Sequence, residues 1–180
     1  MSEKLSEKLS EKLSEKLSEK LCQSVSQSPI ETSQLPQDLK RESYIEPQTV
    51  LLVEDDPTNV RVFSKILTKR AGLKVRHTEN VEEVLQITQA READLILMDV
   101  SLSHSMYQGK SVDGIRLTQM LKENPDTAYL PVILVTAHAM DGDRENFLTQ
   151  SGADDYISKP VIDHEAFVNQ IRALLPAISK

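Results

Sequence analysis

Three short apolar runs that each end in polar side chains limit this chain to few folds. Leu95-Ile96-Leu97-Met98 delivers Asp99 at the point where the run stops. Val50-Leu51-Leu52-Val53 runs into Glu54-Asp55-Asp56, and Val132-Ile133-Leu134-Val135 runs into Thr136. Runs of this length predict strands buried on both faces, as in parallel sheets covered by helices, with Asp99 exposed at the sheet's edge. A shorter strand, Tyr156-Ile157-Ser158, leads to Lys159. Laid parallel in one sheet, these segments gather all of those polar groups at its carboxyl edge, where open α/β sheets hold their ligands.

The segments between the runs carry helical spacing. Asp56 or Thr58 can cap a first helix bearing Val60, Phe63, Ile66 and Leu67 on one face, with Pro57 near its start and Gly72 past its end. A short strand, Leu73 to Arg76, precedes a second helix with Val81, Val84, Leu85 and Thr88 on its inner face. A third, with Ile115, Leu117, Met120 and Leu121, stops before Pro125, since the residue preceding proline is pushed out of the helical region. Asp141 can cap a fourth helix that holds Phe147 and Leu148 and ends at Gly152; a fifth starts at about Asp163 and carries Phe167, Ile171, Leu174 and Leu175.

Strands alternating with amphipathic helices predict an α/β, doubly wound, five-stranded parallel sheet. Strands one, three and four are solidly apolar and belong at its centre, whereas strand two alternates and strand five is short and mixed, which suits edges. With right-handed crossovers the order is 2-1-3-4-5, and strands one and three lie side by side at the switch point. Glu54 and Asp55 then neighbour Asp99.

Composition narrows the function classes. The 180 residues carry a net charge of −7 with 39% apolar content, so neither nucleic acid nor an anionic membrane is an expected partner. No apolar run approaches the roughly 20 residues that cross a bilayer, and the N-terminus lacks a secretory apolar block. The single cysteine, Cys22, excludes an internal disulfide framework and fits a reducing compartment; a cytoplasmic protein is expected.

Residues 1–21 contain five copies of Ser-Glu-Lys-Leu, whose leucines drift by about 40° per repeat around a straight helix and form no straight seam. A marginal helix follows, read either as a low-complexity extension or as a weak oligomerisation or docking helix. Residues 22–48, rich in Ser, Gln and Pro, read as a linker, and the globular domain spans 49–177.

Three carboxylates at one sheet edge repel one another unless a cation sits between them, and hard oxygen ligands of this kind suit Mg²⁺. Phosphoryl transfer asks for a nucleophile in line, a metal and donors on the equatorial oxygens. The residues supply that set: Asp99 as nucleophile, Asp55 and Glu54 for the metal, Lys159 as a point charge and Thr136 as a hydroxyl donor.

At Leu51-Leu52-Val53-Glu54-Asp55-Asp56, Asp94-Leu95-Ile96-Leu97-Met98-Asp99, Asp113-Gly114, Val135-Thr136-Ala137 and Tyr156-Ile157-Ser158-Lys159-Pro160 the chain resembles the receiver domains of two-component response regulators. The likeness runs from about Thr49 to Leu175. It implies a flavodoxin-like fold and transfer of a phosphoryl group from the phosphohistidine of a histidine kinase, or of a histidine phosphotransfer protein, to Asp99. It further implies Mg²⁺ held by Asp55, Asp99 and the backbone carbonyl of Ser101, and by Glu54 partly through water. Thr136 and Lys159 would engage the phosphoryl group, and Tyr156 matches the switch aromatic. Lys159-Pro160 is similar to a bond that is cis in the family. Phosphorylation would then move Thr136 and Tyr156 and reshape the surface of helix four, strand five and helix five. The chain is similar to single-domain regulators of cell division and polarity. With five residues after Leu175, no C-terminal output domain is expected, and output would be a protein interaction.

One departure stands out. The family's loop between the phosphorylated Asp and the Asp-Gly of helix three is short and contains proline, whereas here it is longer, with Ser103 to Ser111 and no proline. Two other classes share parts of the pattern. A haloacid-dehalogenase-like phosphatase also uses a strand-end aspartate with Thr, Lys and Mg²⁺, but needs Asp-x-Asp on its first strand, and here Ser101 holds the second Asp position. A phosphorylation-independent interaction module of the same fold would have no need for the intact Glu54, Asp55, Asp99, Thr136 and Lys159 set. The histidines His77, His104, His138 and His164 lack metal-ligand spacing and read as surface residues, with His104 and His138 flanking the site.

Overall fold

A computed structural model of the chain describes residues 46–103, 105–137 and 143–177, with Asp143 by its backbone alone. The Ser-Glu-Lys-Leu repeats, the linker to residue 45, Cys22, His104, His138 and the expected Asp141 cap lie outside the described residues. Five strands, β1 (Thr49–Val53), β2 (Lys74–Thr78), β3 (Leu95–Asp99), β4 (Val132–Thr136) and β5 (Asp155–Ser158), alternate with five helices, α1 (Pro57–Lys69), α2 (Val81–Gln89), α3 (Gly114–Glu123), α4 (Asp143–Ser151) and α5 (His164–Leu174). All neighbouring strands are parallel, in the order β2-β1-β3-β4-β5. This is the flavodoxin-like topology.

The alternation of side chains along each central strand divides the core in two. Leu51, Val53, Ile96, Met98, Val132 and Leu134 face α2 and α3, where Val84, Ile87, Leu117 and Leu121 cover them. Val50, Leu52, Leu95, Leu97, Ile133 and Val135 face α1 and α5, through Phe63, Ile66, Leu67, Phe167 and Ile171. There the Phe63 and Phe167 rings stack with centroids 5.7 Å apart. Burial on both faces explains why β1, β3 and β4 read as continuous apolar runs.

The helix ends follow their caps. Asp56, Asn80, Asp113 and Asp163 each accept a backbone N–H from the first turn of α1, α2, α3 and α5. Asn124 turns extended ahead of Pro125 and stops α3. Gly152, at φ +73°, ends α4.

Some expectations shift. The second strand runs Lys74–Thr78 rather than Leu73 to Arg76, because its ladder follows β1 to that strand's last residue, pairing Val53 with Thr78. On α2 it is Ile87 that is fully buried while Leu85 is only partly so; on α3 Thr118 is buried and Met120 is at the margin. The threonine fits because its hydroxyl donates to the Gly114 carbonyl at 2.7 Å. The largest difference concerns Asp99, expected at an exposed strand end. It is 4% exposed, since the start of α3 lies across it and Lys159 reaches over it.

The long loop after Asp99 folds as a two-stranded antiparallel hairpin, Met106–Tyr107 with Lys110–Ser111. Gln108 and Gly109 both take positive φ, 50° and 77°, as a tight two-residue hairpin turn demands. No helix among the described residues is long and apolar enough to cross a membrane.

Candidate functional site

The site is made by strand ends. The register aligns Val53 with Met98, so Glu54 and Asp55 leave β1 beside Asp99 at the end of β3. Asp99 pairs with Val135, one residue before Thr136, and Thr136 pairs with Ser158, one residue before Lys159. Ligand oxygens of Glu54, Asp55 and Asp99 lie within 4.8 Å of one another. Lys159 Nζ is 2.7 Å from Glu54 Oε2 and 3.0 Å from Asp99 Oδ1, with its side chain 12% exposed. The Lys159-Pro160 bond is cis.

Glu54 is 1% exposed and its carboxyl is pushed above the usual range, first by burial and then by the neighbouring charge of Asp99, against the pull of Lys159. Asn59 Nδ2 donates to its Oε1 at 3.3 Å, as does the Asp56 N–H at 3.2 Å. Asp55 is half-buried, and its Oδ2 accepts the Ser103 N–H at 2.9 Å. Asp99 Oδ1 is buried and receives no hydrogen bond of good geometry, although the Lys159 ammonium sits at ion-pairing distance. A buried carboxylate oxygen left this way is costly unless a further cation completes it. One lysine among three carboxylates leaves an excess of negative charge. The donor set, all hard oxygens, fits a cation such as Mg²⁺.

The remaining expected residues take different places. Thr136 is buried at the end of β4, and its carbonyl accepts the Lys159 N–H at 2.7 Å. Ser101 lies two residues past Asp99, and its carbonyl accepts the Ser103 hydroxyl at 3.4 Å. Tyr156 is 8% exposed, and its ring stacks on Phe147 of α4 with centroids 6.1 Å apart. It packs between β5 and α4 as part of the core lining that face of the sheet.

Sequence reading missed His77, Asn59 and Ser103. His77 Nε2 lies 2.8 Å from the Glu54 carbonyl; a carbonyl only accepts, so Nε2 carries the proton. The signal was present, because a polar residue near the end of β2 must come beside the end of β1. Asn59 and Ser103 lie in a helix turn and a loop, where no periodicity marks them. Glycine at 114 is also explained: a Cβ there would lie 1.9 Å from the Asp99 carbonyl oxygen.

The sequence matches the response regulator receiver domain family over residues 50–172. It is 36% identical over 129 residues to the polar-differentiation response regulator DivK of Brucella anthropi, covering 72% of this chain and 97% of that protein. Among solved structures it resembles the receiver domain of the sensor histidine kinase PA1611 from Pseudomonas aeruginosa, which has a magnesium ion coordinated in its active-site cleft. That likeness has a TM-score of 0.59 at 30% identity, covering 71% of this chain and 97% of that one. The signal receiver domain of a histidine kinase from Syntrophus aciditrophicus is similar too, with a TM-score of 0.57 at 29% identity over 74% of this chain and 98% of that one. Strand order, the acidic cluster and these likenesses agree, and the chain belongs to the response regulator receiver domains, the signalling modules of two-component phosphorelays.

Proposed function

We propose that Asp99 is the phosphoacceptor of this receiver, taking a phosphoryl group from the phosphohistidine of a histidine kinase or histidine phosphotransfer protein. A carboxylate oxygen of Asp99 forms the new P–O bond as the P–N bond to the donor imidazole breaks, and the imidazole keeps the electron pair. Mg²⁺, held by Asp55, Asp99 and the Ser101 carbonyl, with Glu54 assisting through water, would neutralise charge on the phosphoryl oxygens. Lys159 places its ammonium beside the acceptor carboxylate and the Thr136 hydroxyl donates to the phosphoryl group. The observation that carries this reading is the buried Asp99 Oδ1, without a hydrogen bond of good geometry, beside the Lys159 ammonium in a residue that clusters with the Glu54 and Asp55 carboxylates.

The receiver occupies 49–177, preceded by the repeats of 1–21 and the linker of 22–48, and it works in the cytoplasm without contacting nucleic acid or membrane. Thr136 and Tyr156 act as the switch pair, and the output is a protein contact on the α4–β5–α5 face. Incubation with Mg²⁺ and acetyl phosphate, followed by intact-protein mass, tests the reading. Wild type gains about 80 Da, labile to hydroxylamine, as an acyl phosphate requires, and Asp99→Ala gains nothing. Equal labelling of both proteins would move the acceptor elsewhere. No labelling of either, with no transfer from a phosphorylated kinase, would leave an interaction module that acts without phosphorylation.

A further inference from the structure

We propose that Ser103, braced by the hairpin after Asp99, is a positioning residue for the metal site and sets this receiver's Mg²⁺ affinity. The proposal rests on the reading of Asp55 and Ser101 as metal ligands. Ser103 touches both. Its backbone N–H donates to Asp55 Oδ2 at 2.9 Å, and its hydroxyl donates to the Ser101 carbonyl at 3.4 Å. Glu54 and Asp99 are held inside the protein by burial and by Lys159, whereas Asp55 is half-buried. A half-buried carboxylate on a loop loses rotamer freedom when it ligates, unless a neighbour has already fixed it. Holding one oxygen on an N–H leaves the other for a cation.

A loop atom can fix a ligand only if the loop itself is fixed, and the hairpin supplies that. A hairpin with two-residue strands is unstable alone, so its rigidity comes from what it docks on. Leu102 and Val112 bury at its two legs, 4% and 5% exposed, and the Tyr107 ring packs against the same core. Ser105 closes the frame. It is 6% exposed, its hydroxyl donates to the Glu79 carbonyl at 3.1 Å beside the α2 cap, and its carbonyl accepts the Val112 N–H at 3.0 Å. Ser105, two residues past Ser103, is thereby tied to the start of α2. A proline at 103 would have no N–H to give and could not make the contact to Asp55.

Calorimetric Mg²⁺ titration of the full chain, with thermal melts in EDTA as the control for folding, tests this. Outer partners that orient a metal ligand typically contribute tenfold or more in affinity. Ser103→Pro removes both contacts and is expected to bind Mg²⁺ roughly tenfold more weakly with its EDTA melt unchanged. Ser103→Thr restores wild-type affinity within about twofold, and Ser103→Ala, which keeps the N–H, stays within about threefold. Ser105→Ala, which frees the loop from Glu79, weakens binding about threefold or more. A folded Ser103→Pro with wild-type affinity would overturn the proposal. Should that variant not fold, wild-type affinity in Ser105→Ala would overturn it instead. Asp55→Asn separates the two levels: if it too binds like wild type, the metal-site reading fails and this proposal with it. Loss in Asp55→Asn beside unchanged serine variants removes only the positioning role.

Discussion

Gly114→Ala should damage both the fold and the site, against the direction that helix propensity alone would give. Gly114 opens α3, and in a helix interior alanine is favoured over glycine by about 1 kcal/mol. Here the added Cβ would stand 1.9 Å from the Asp99 carbonyl oxygen, 2.8 Å from its carbonyl carbon and 3.1 Å from Met98 Cγ. Real Cβ contacts do not fall below 3.0 Å, so α3 and β3 must part by about 1 Å. No rotamer change relieves a collision with backbone, and β3 is fully buried between two neighbours. Overpacking of this kind costs about 3 kcal/mol, the upper end of its usual range, which outweighs the propensity gain. With a urea dependence of about 1.5 kcal/mol per molar, the midpoint should drop by roughly 2 M before any propensity credit. The displacement falls on Asp99 itself, so labelling by acetyl phosphate should slow by roughly 100-fold, the usual effect of misplacing a reacting group by 1 Å. Gly72→Ala is the control: its φ is +68° but nothing lies within 4 Å of an added Cβ, so only about 1 kcal/mol is expected. A Gly114→Ala urea midpoint within about 0.3 M of wild type would refute the claim that α3 rests directly on the Asp99 backbone.

Other perturbations test separate parts of the structure. Lys159→Ala leaves Glu54 and Asp99 buried without their shared cation; urea melts should show about 3 kcal/mol lost, with Mg²⁺ restoring part of it, and no restoration would speak against a cation site there. Phe167→Ala removes the ring stacked on Phe63 and should cost about 3 to 4 kcal/mol by the same melts; a loss below about 1 kcal/mol would mean that α5 does not seal that face. At Asp155 burial pushes the carboxyl up, but hydrogen bonds from Gln170, the Tyr156 N–H and Arg144 outweigh it and hold it below its ordinary value. A depressed folded value means that its contribution is present above the ordinary 3.8 and fades as pH falls through the folded value. Melts of Asp155→Asn at pH 7, 5 and 3 should therefore converge on wild type at the acid end; a constant offset at every pH would remove the ionic role.

The features legible in the sequence are those that repeat. Both-face burial writes itself as unbroken apolar runs in β1, β3 and β4, and the order of the sheet followed from the weaker pattern in β2 and β5. Because Glu54-Asp55, Asp99 and Lys159 stand at or just past strand ends, the order of strands was enough to bring them together. What the sequence concealed depends on non-repeating geometry. That Asp99 is buried follows from the passage of α3 over it, which no strand pattern encodes. The hairpin was hidden because its strands are two residues long and its turn is Gln108-Gly109, outside the Asn-Gly and Asp-Gly pairs that announce such turns.

These two kinds of information meet at Asp55. Its place beside Asp99 is fixed by the register of β1 on β3, independently of the loop that follows Asp99. Its orientation depends on a loop atom, the Ser103 N–H, that belongs to the least regular part of the domain. Strand register therefore decides which chemistry the site can carry, and the hairpin decides how ready its outermost carboxylate is for a cation. On the proposed metal site, a change in the loop would alter Mg²⁺ affinity without touching any residue of the sheet. The opposite holds for Gly114 and Lys159, where the site and the core share atoms and a change in one cannot spare the other.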